Sequence, residues 1–110
     1  MTEITADDID GALVPSFRSH VFAVEVDDET VLLDERHLLL HVMNGTASVI
    51  VSQVGRGRTA GEIAEVLAAT FNVDVEVVTS DVLTLVRELG RLGLLEGVSG
   101  APDQDGVITD

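Results

Sequence analysis

The sequence predicts one small α+β domain, with short strands in its first half and helices in its second. A chain of 110 residues with 45% hydrophobic residues is large enough for one domain with its own core. Apolar residues form three short runs within residues 20–43, separated by polar turns at residues 27–29 and 34–36, which is typical of strands. From Thr59 onward they recur every three or four residues, which is the period of a helix.

The first two predicted strands form a hairpin. Phe22, Val24 and Val26 fall on one side of a strand that begins at His20, and residues 27–29, Asp-Asp-Glu, supply a polar turn into a second strand over residues 30–33.

A third strand is predicted over residues 37–43 after another polar turn. Three short antiparallel strands leave sheet edges that must be covered, blunted or used. The alternation places one set of side chains on each face: Leu38, Leu40 and Val42 on one, and His37, Leu39 and His41 on the other.

The stretch from Thr46 to Val54 is ambiguous. Asn44-Gly45 is a strong hairpin signal followed by a run rich in Val and Ile, which favours a strand. Asn44 could equally cap a helix, with apolar residues at helical spacing after it.

Two helices follow. Thr59-Ala60-Gly61-Glu62 has the pattern of a capping box and begins the first. The second follows a short connection at residues 72–74 and ends at Gly93, in the manner of a glycine C-cap.

The last helix carries more apolar surface than a core stripe needs. At 100° per residue, Leu85, Leu89 and Leu92 lie in one narrow arc, and Leu83, Val86 and Gly90 widen it toward a second face. That second face could accept another polypeptide, or it could pack on the sheet or on a second copy of the chain.

Both ends of the chain are acidic and poor in apolar anchors. We expect residues 1–17 to be a flexible acidic lead-in, residues 18–97 to be the folded domain, and residues 98–110 to be a flexible acidic tail.

Composition excludes several functions. A net charge of −14 opposes binding to a phosphate backbone, and there is no cysteine for a disulfide or a thiolate site. We expect no nucleic-acid partner. No signal peptide or membrane-spanning run is visible, so we expect a cytoplasmic protein with no membrane partner.

No catalytic constellation is visible. His37 and His41 share a strand face near Asp34 and Glu35, but no third ligand stands out, so we expect no metal site. No serine lies in a nucleophile motif, and no Walker loop is present. We therefore expect a protein that is not an enzyme and has no cofactor.

The order and spacing of several short motifs resemble the PqqD-like family. These motifs are Val31-Leu32-Leu33, Met43-Asn44-Gly45-Thr46-Ala47, Thr59-x-x-Glu62-Ile63, and the run from Asp81-Val82 to Gly93-Leu94-Leu95. Members of this family are also called RiPP recognition elements, small domains that bind the leader segment of ribosomally made peptides while those peptides are modified.

The resemblance implies a winged-helix-like fold, with a three-stranded antiparallel sheet followed by three helices and residues 46–54 as the first helix. It also implies that a leader peptide adds to the third strand and lies against the third helix. Carried over by position, the peptide-binding residues are Leu38, Leu39, Leu40, His41 and Val42 on the strand and Leu83, Val86, Arg87 and Gly90 on the helix.

The expected function is therefore non-catalytic binding of a precursor's leader peptide and its presentation to a modifying enzyme or leader peptidase. Two alternatives remain: a winged-helix DNA-binding regulator, whose helix-turn-helix order is the same, and a homodimeric structural module. The expected oligomeric state is monomer or homodimer.

Overall fold

A three-stranded antiparallel sheet precedes three helices in the computed structural model, which describes residues 3–99. The predicted α+β architecture is confirmed, and the ambiguous stretch after Asn44 is a helix. The strands are β1 (Ile4–Thr5), β2 (Val21–Val26), β3 (Glu29–Asp34), β4 (Leu39–Asn44) and β5 (Val98–Ser99), and the helices are α1 (Gly45–Gln53), α2 (Ala60–Phe71) and α3 (Val75–Arg91), with a 3-10 turn at Ala6–Asp8.

The main sheet has the order β2-β3-β4, and its central strand directs three buried residues toward the helices. These residues are Thr30, Leu32 and Asp34, which are at most 2% exposed. The hydroxyl of Thr30 lies 2.7 Å from the hydroxyl of Ser48 on α1, so a buried polar pair joins the sheet to its first helix.

The opposite face of this sheet, here called the outer sheet face, is apolar and exposed. Cross-strand pairing forms two rows across it, Phe22–Leu33–Leu40 and Val24–Val31–Val42. The prediction that Phe22, Val24 and Val26 share one side of a strand agrees with this alternation, but that side faces away from the helices. Each of the three is about half exposed.

The helix ends follow their sequence signals. Thr59 Oγ1 accepts a hydrogen bond from the Glu62 amide at 3.0 Å, and the Thr59 amide donates to Glu62 Oε1 at 2.8 Å, which confirms the capping box. Gly93 follows α3 with φ of +79°, and its amide donates to the Gly90 carbonyl at 3.0 Å. The chain then turns back, so that Leu94 and Leu95 become fully buried.

The N-terminal segment is packed, in contrast to the flexible lead-in expected for residues 1–17. Ala6 and Ile9 are at most 1% exposed, and β1 pairs in parallel with β5. Farther along, the carbonyls of Gly11, Leu13 and Pro15 accept hydrogen bonds from amides at the α1–α2 connection and the start of α2. A few apolar anchors are enough here because they fit directly against α3 and β5.

The end of the folded region also differs slightly from expectation. Val98, assigned to the tail, is 1% exposed and belongs to β5. The rest of the expected tail, residues 100–110, lies outside the described residues, as do residues 1 and 2. Within residues 3–99, no helix combines the length and the apolar character needed to cross a membrane.

Candidate functional site

Strand β4 is an edge of the main sheet. Among the described strands, only β3 pairs with it, so its other side presents main-chain N–H and C=O groups without a strand partner. Natural edges are usually protected by lysine, proline or a bulge. The sequence of β4, Leu-Leu-His-Val-Met-Asn, contains neither lysine nor proline, and its six residues pair with β3 in continuous register. This edge is suited to accept a further strand.

The side chains of β4 alternate between the two faces of the sheet. Leu40 and Val42 lie on the outer sheet face and are 66% and 59% exposed. His41 pairs with the buried Leu32 and points toward the helices, where it is partly buried. Leu39 is 52% exposed at the start of the strand. Four of the five strand residues predicted for peptide binding therefore lie on this edge.

The fifth, Leu38, lies in the turn before β4 rather than in the strand. Its φ is +57°, a left-handed conformation that is uncommon for a residue other than glycine, and its side chain is 83% exposed. Leu38 is thus a turn residue next to the edge.

The helix residues predicted to face a peptide are mostly covered by the chain itself. Val86 is fully buried. Gly90 is also buried, and a Cβ atom built there would lie 2.8 Å from Val98 Cγ1 and 3.1 Å from Ala6 Cβ. The N-terminal segment and β5 occupy this face of α3, which leaves Val86 and Gly90 no surface for a peptide.

The other two helix residues have different surroundings. Arg87 donates from Nε and Nη2 to the Ile9 carbonyl, at 3.1 and 2.8 Å, so its guanidinium holds the N-terminal segment. Leu83 is partly buried and keeps some exposed surface. In the stripe assigned to the core, Leu89 is fully buried but Leu92 is 39% exposed. The core-facing arc of α3 is therefore rotated toward Val86 and Gly90.

A cluster of two histidines and an aspartate lies at the end of the β2–β3 hairpin. Asp34 Oδ2 lies 2.8 Å from His37 Nδ1, and Asp34 Oδ1 lies 3.6 Å from His20 Nε2. One ligand-type atom from each residue falls within 4.8 Å of the other two. His41 is not part of the cluster, although the sequence predicted that it shares a strand face with His37.

Asp34 also organises the turn that leads into β4. Its Oδ1 accepts hydrogen bonds from the amides of Arg36 and His37 at 3.0 and 3.2 Å, as an Asx-type turn requires. Burial raises the pKa of Asp34, but the hydrogen bonds from the side chain and amide of His37, together with the nearby imidazoles, outweigh that effect and hold its pKa below the ordinary value.

His20 is the residue of this cluster that no sequence pattern indicated. It lies immediately before β2, and because β2 pairs Val21 with Asp34, His20 comes close to Asp34, 14 positions away in the sequence. Only the pairing register of the β2–β3 hairpin places His20 beside Asp34, and no motif within a short stretch of the sequence indicates that contact.

Comparison with known proteins identifies a family for this chain. A family model described as "Coenzyme PQQ synthesis protein D (PqqD)" matches residues 29–95. No curated protein matches the chain.

Three solved structures share the fold. One, described as TbiB1 in complex with the TbiA(beta) leader peptide, is 29% identical, with a TM-score of 0.69 over 74% of this chain and 95% of that one. A lasso peptide synthetase B1 complexed with the leader peptide is 25% identical, with a TM-score of 0.69 over 76% and 99%.

The third structure is the PqqD part of PqqCD from Methylobacterium extorquens, described as a functional, stand-alone RiPP recognition element. It is 22% identical, with a TM-score of 0.70 over 83% of this chain and 97% of that one, and at this identity it shows the shared fold alone. The family model covers more than half of the chain, from the start of β3 to the residues after α3. The chain therefore belongs to the PqqD family.

Proposed function

We propose that this protein binds the leader segment of a ribosomally synthesised precursor peptide, which adds as a further strand to the edge of β4. The unpaired, apolar β4 edge carries the proposal, because its main-chain groups offer the hydrogen bonds that strand addition uses. Two structural neighbours, TbiB1 and a lasso peptide synthetase B1, are complexes with leader peptides.

The sheet also indicates what the leader should contain. An added strand would extend the rows that end in Leu40 and Val42, so two leader residues spaced by two would lie beside these exposed side chains. Apolar or β-branched residues at those positions would gain cross-strand contacts of about 0.2–1 kcal/mol each. We therefore expect a leader segment with alternating apolar residues.

The helix side of the proposed site is smaller than the sequence suggested. Leu83 remains a candidate contact. Val86 and Gly90 are removed from the proposed site because residues of the same chain cover them. Arg87 holds the N-terminal segment through Ile9 rather than presenting a free guanidinium.

The proposed role is recognition without catalysis. A protein that holds the leader raises the effective concentration of the attached core peptide beside a partner, which would be a modifying enzyme or a leader peptidase. Binding, positioning and release would be the whole of its contribution.

A pair of matched substitutions tests the docking edge. Leu40 and Phe22 occupy the same cross-strand row of the outer sheet face, but Leu40 lies on the β4 edge and Phe22 on the β2 edge. Leu40→Asp places a charge beside the incoming strand, so we expect the Kd for the leader to rise about tenfold, or ~1.4 kcal/mol. Phe22→Asp adds the same charge to the same face and should leave the Kd unchanged.

The measurement is fluorescence polarisation with the labelled leader peptide of a candidate precursor, and a scrambled version of that peptide is the control. Circular dichroism checks that both variants keep their fold. Equal weakening by both substitutions would contradict docking on β4, and selective weakening by Phe22→Asp would move the site to β2. Methylating alternate amides of the leader should abolish binding in only one of the two registers, because alternate N–H groups face the edge.

A further inference from the structure

We propose that His20, Asp34 and His37 form a binding site for a first-row divalent transition-metal ion, with Zn²⁺ as the expected occupant. Each residue contributes one ligand: Nε2 of His20, Oδ2 of Asp34 and Nδ1 of His37. Two imidazoles and a carboxylate are a donor set that zinc accepts, and water can complete the tetrahedron.

The geometry is close to that of a coordination sphere. Zinc bonds to nitrogen and oxygen at about 2.0–2.2 Å, which places the ligands of a tetrahedron about 3.3–3.6 Å apart. One ligand-type atom from each of the three residues lies within 4.8 Å of the other two, and His20 Nε2 is 3.6 Å from Oδ1 of the Asp34 carboxylate. The His37–Asp34 pair, at 2.8 Å, must open by about 0.5 Å. His37 can move that far because its side chain is 56% exposed.

A second observation, a buried nitrogen atom without a partner, points to a ligand at this site. His20 Nε2 is shielded from solvent and has no hydrogen-bond partner among the described residues. A buried polar nitrogen of this kind destabilises the fold unless it is paired. The backbone of His20 is fixed, since its carbonyl accepts from the Glu35 amide at 2.9 Å, so the ring is held beside Asp34. A metal ion would satisfy the unpaired nitrogen.

The site differs from one of surface carboxylates. The side chain of Asp34 is only 2% exposed and that of His20 11%, while His37 gives access from solvent. Asp34 Oδ1 already accepts two backbone amides, and this leaves Oδ2 oriented for the ion. A bound ion would join the residue before β2 to the turn that begins β4.

The test uses the full 110-residue chain without a polyhistidine tag, freed of metal with a chelator and titrated with Co²⁺ or Zn²⁺ alone. We expect one ion per chain and the strong visible absorption of a tetrahedral cobalt centre. His37→Gln, at an exposed position, should weaken binding roughly tenfold or more. His41→Gln is the matched control and should bind like the wild type.

A measurement without substitution addresses variants that fail to fold. The chain has three histidines, so the proton spectrum of its imidazole rings contains three resonances at the C2 position. Zn²⁺ should shift those of His20 and His37 and leave that of His41 in place. Absence of a one-to-one complex, equal shifts of all three resonances, or equal binding by the His37→Gln variant would overturn the proposal. None of these outcomes depends on the leader peptide.

Discussion

At the scale of single residues, Gly90 shows how close packing can require a glycine in the last turn of a helix. Glycine in a helix interior costs about 0.5–1 kcal/mol relative to alanine. At Gly90 a Cβ atom would lie 2.8 Å from the side chain of Val98 and 3.1 Å from that of Ala6. Both neighbours are buried, so neither can easily move away. The close approach of three elements explains the glycine.

Gly90→Ala should therefore destabilise the protein despite the better helix propensity of alanine. Overpacking costs about 1–3 kcal/mol, against a gain of about 1 kcal/mol, so we expect a net loss of about 1 kcal/mol in the free energy of unfolding. Gly61→Ala on α2 is the matched control. Its Cβ would meet nothing closer than 3.4 Å, and it should stabilise the protein by up to about 1 kcal/mol.

Urea unfolding followed by circular dichroism measures both variants. Stabilisation of similar size in both would mean that the contact of α3 with β5 and the N-terminal segment is looser than described.

At the scale of elements, the N-terminal segment acts as a strap over α3. Ile9 and Ala6 cover Gly90, the Ile9 carbonyl accepts both hydrogen bonds from Arg87, and β1 pairs with β5. An exposed ion pair, Arg91 Nη2 to Asp7 Oδ1 at 2.7 Å, lies along the same face, and an exposed pair of this kind adds little. Apolar contacts and the Arg87 hydrogen bonds therefore hold the N-terminal segment against α3.

Ile9→Ala should destabilise the protein by about 2–4 kcal/mol, because Ile9 is 1% exposed and its removal leaves a cavity. Val14→Ala is the control from the same segment. Val14 is 49% exposed, and we expect its loss to cost less than about 1 kcal/mol. The free energy of unfolding from urea titration separates the two. Equal, small effects would support the flexible lead-in expected from sequence.

Several elements were predictable because their signals are local. The alternation of β4, the capping box at Thr59 and the glycine after α3 each involve residues within a few positions of one another, and the structure confirms them. The family motifs resolved the stretch after Asn44, where the residues alone fitted both a strand and a helix.

The packing partners of α3 and the histidine cluster were not predictable in the same way. A helical wheel shows that Val86 and Gly90 lie on an apolar arc, but not that Ala6 and Ile9, near the other end of the chain, pack against Gly90. His20 reaches Asp34 only through the register of β2 on β3. Both depend on contacts between distant parts of the chain, which periodicity does not report.

At the scale of the whole molecule, the net charge and the placement of the arginines argue against DNA binding. The chain carries −14 and has six basic residues, all of them arginine. On α3, the helix that a winged-helix regulator would place in the major groove, Arg87 is bonded to Ile9 and Arg91 to Asp7. The acidic residues Asp81 and Glu88 remain exposed on this helix. Phosphate contacts require cations in numbers that this surface lacks.

We therefore expect no retarded band when the protein, at roughly 100 µM, is mixed with duplex DNA at low salt. Non-specific DNA-binding proteins have Kd values of about 10⁻⁴–10⁻⁶ M at physiological salt and bind more tightly at low salt, so one of them, run on the same gel, would retard the duplex fully. The labelled leader peptide, incubated with the same protein sample, serves as the test of activity. A retarded DNA band that disappears as salt is raised would restore the regulator hypothesis, because that is the behaviour of counterion release. Retention of the leader without retention of DNA is the outcome that an acidic surface and an open β4 edge require.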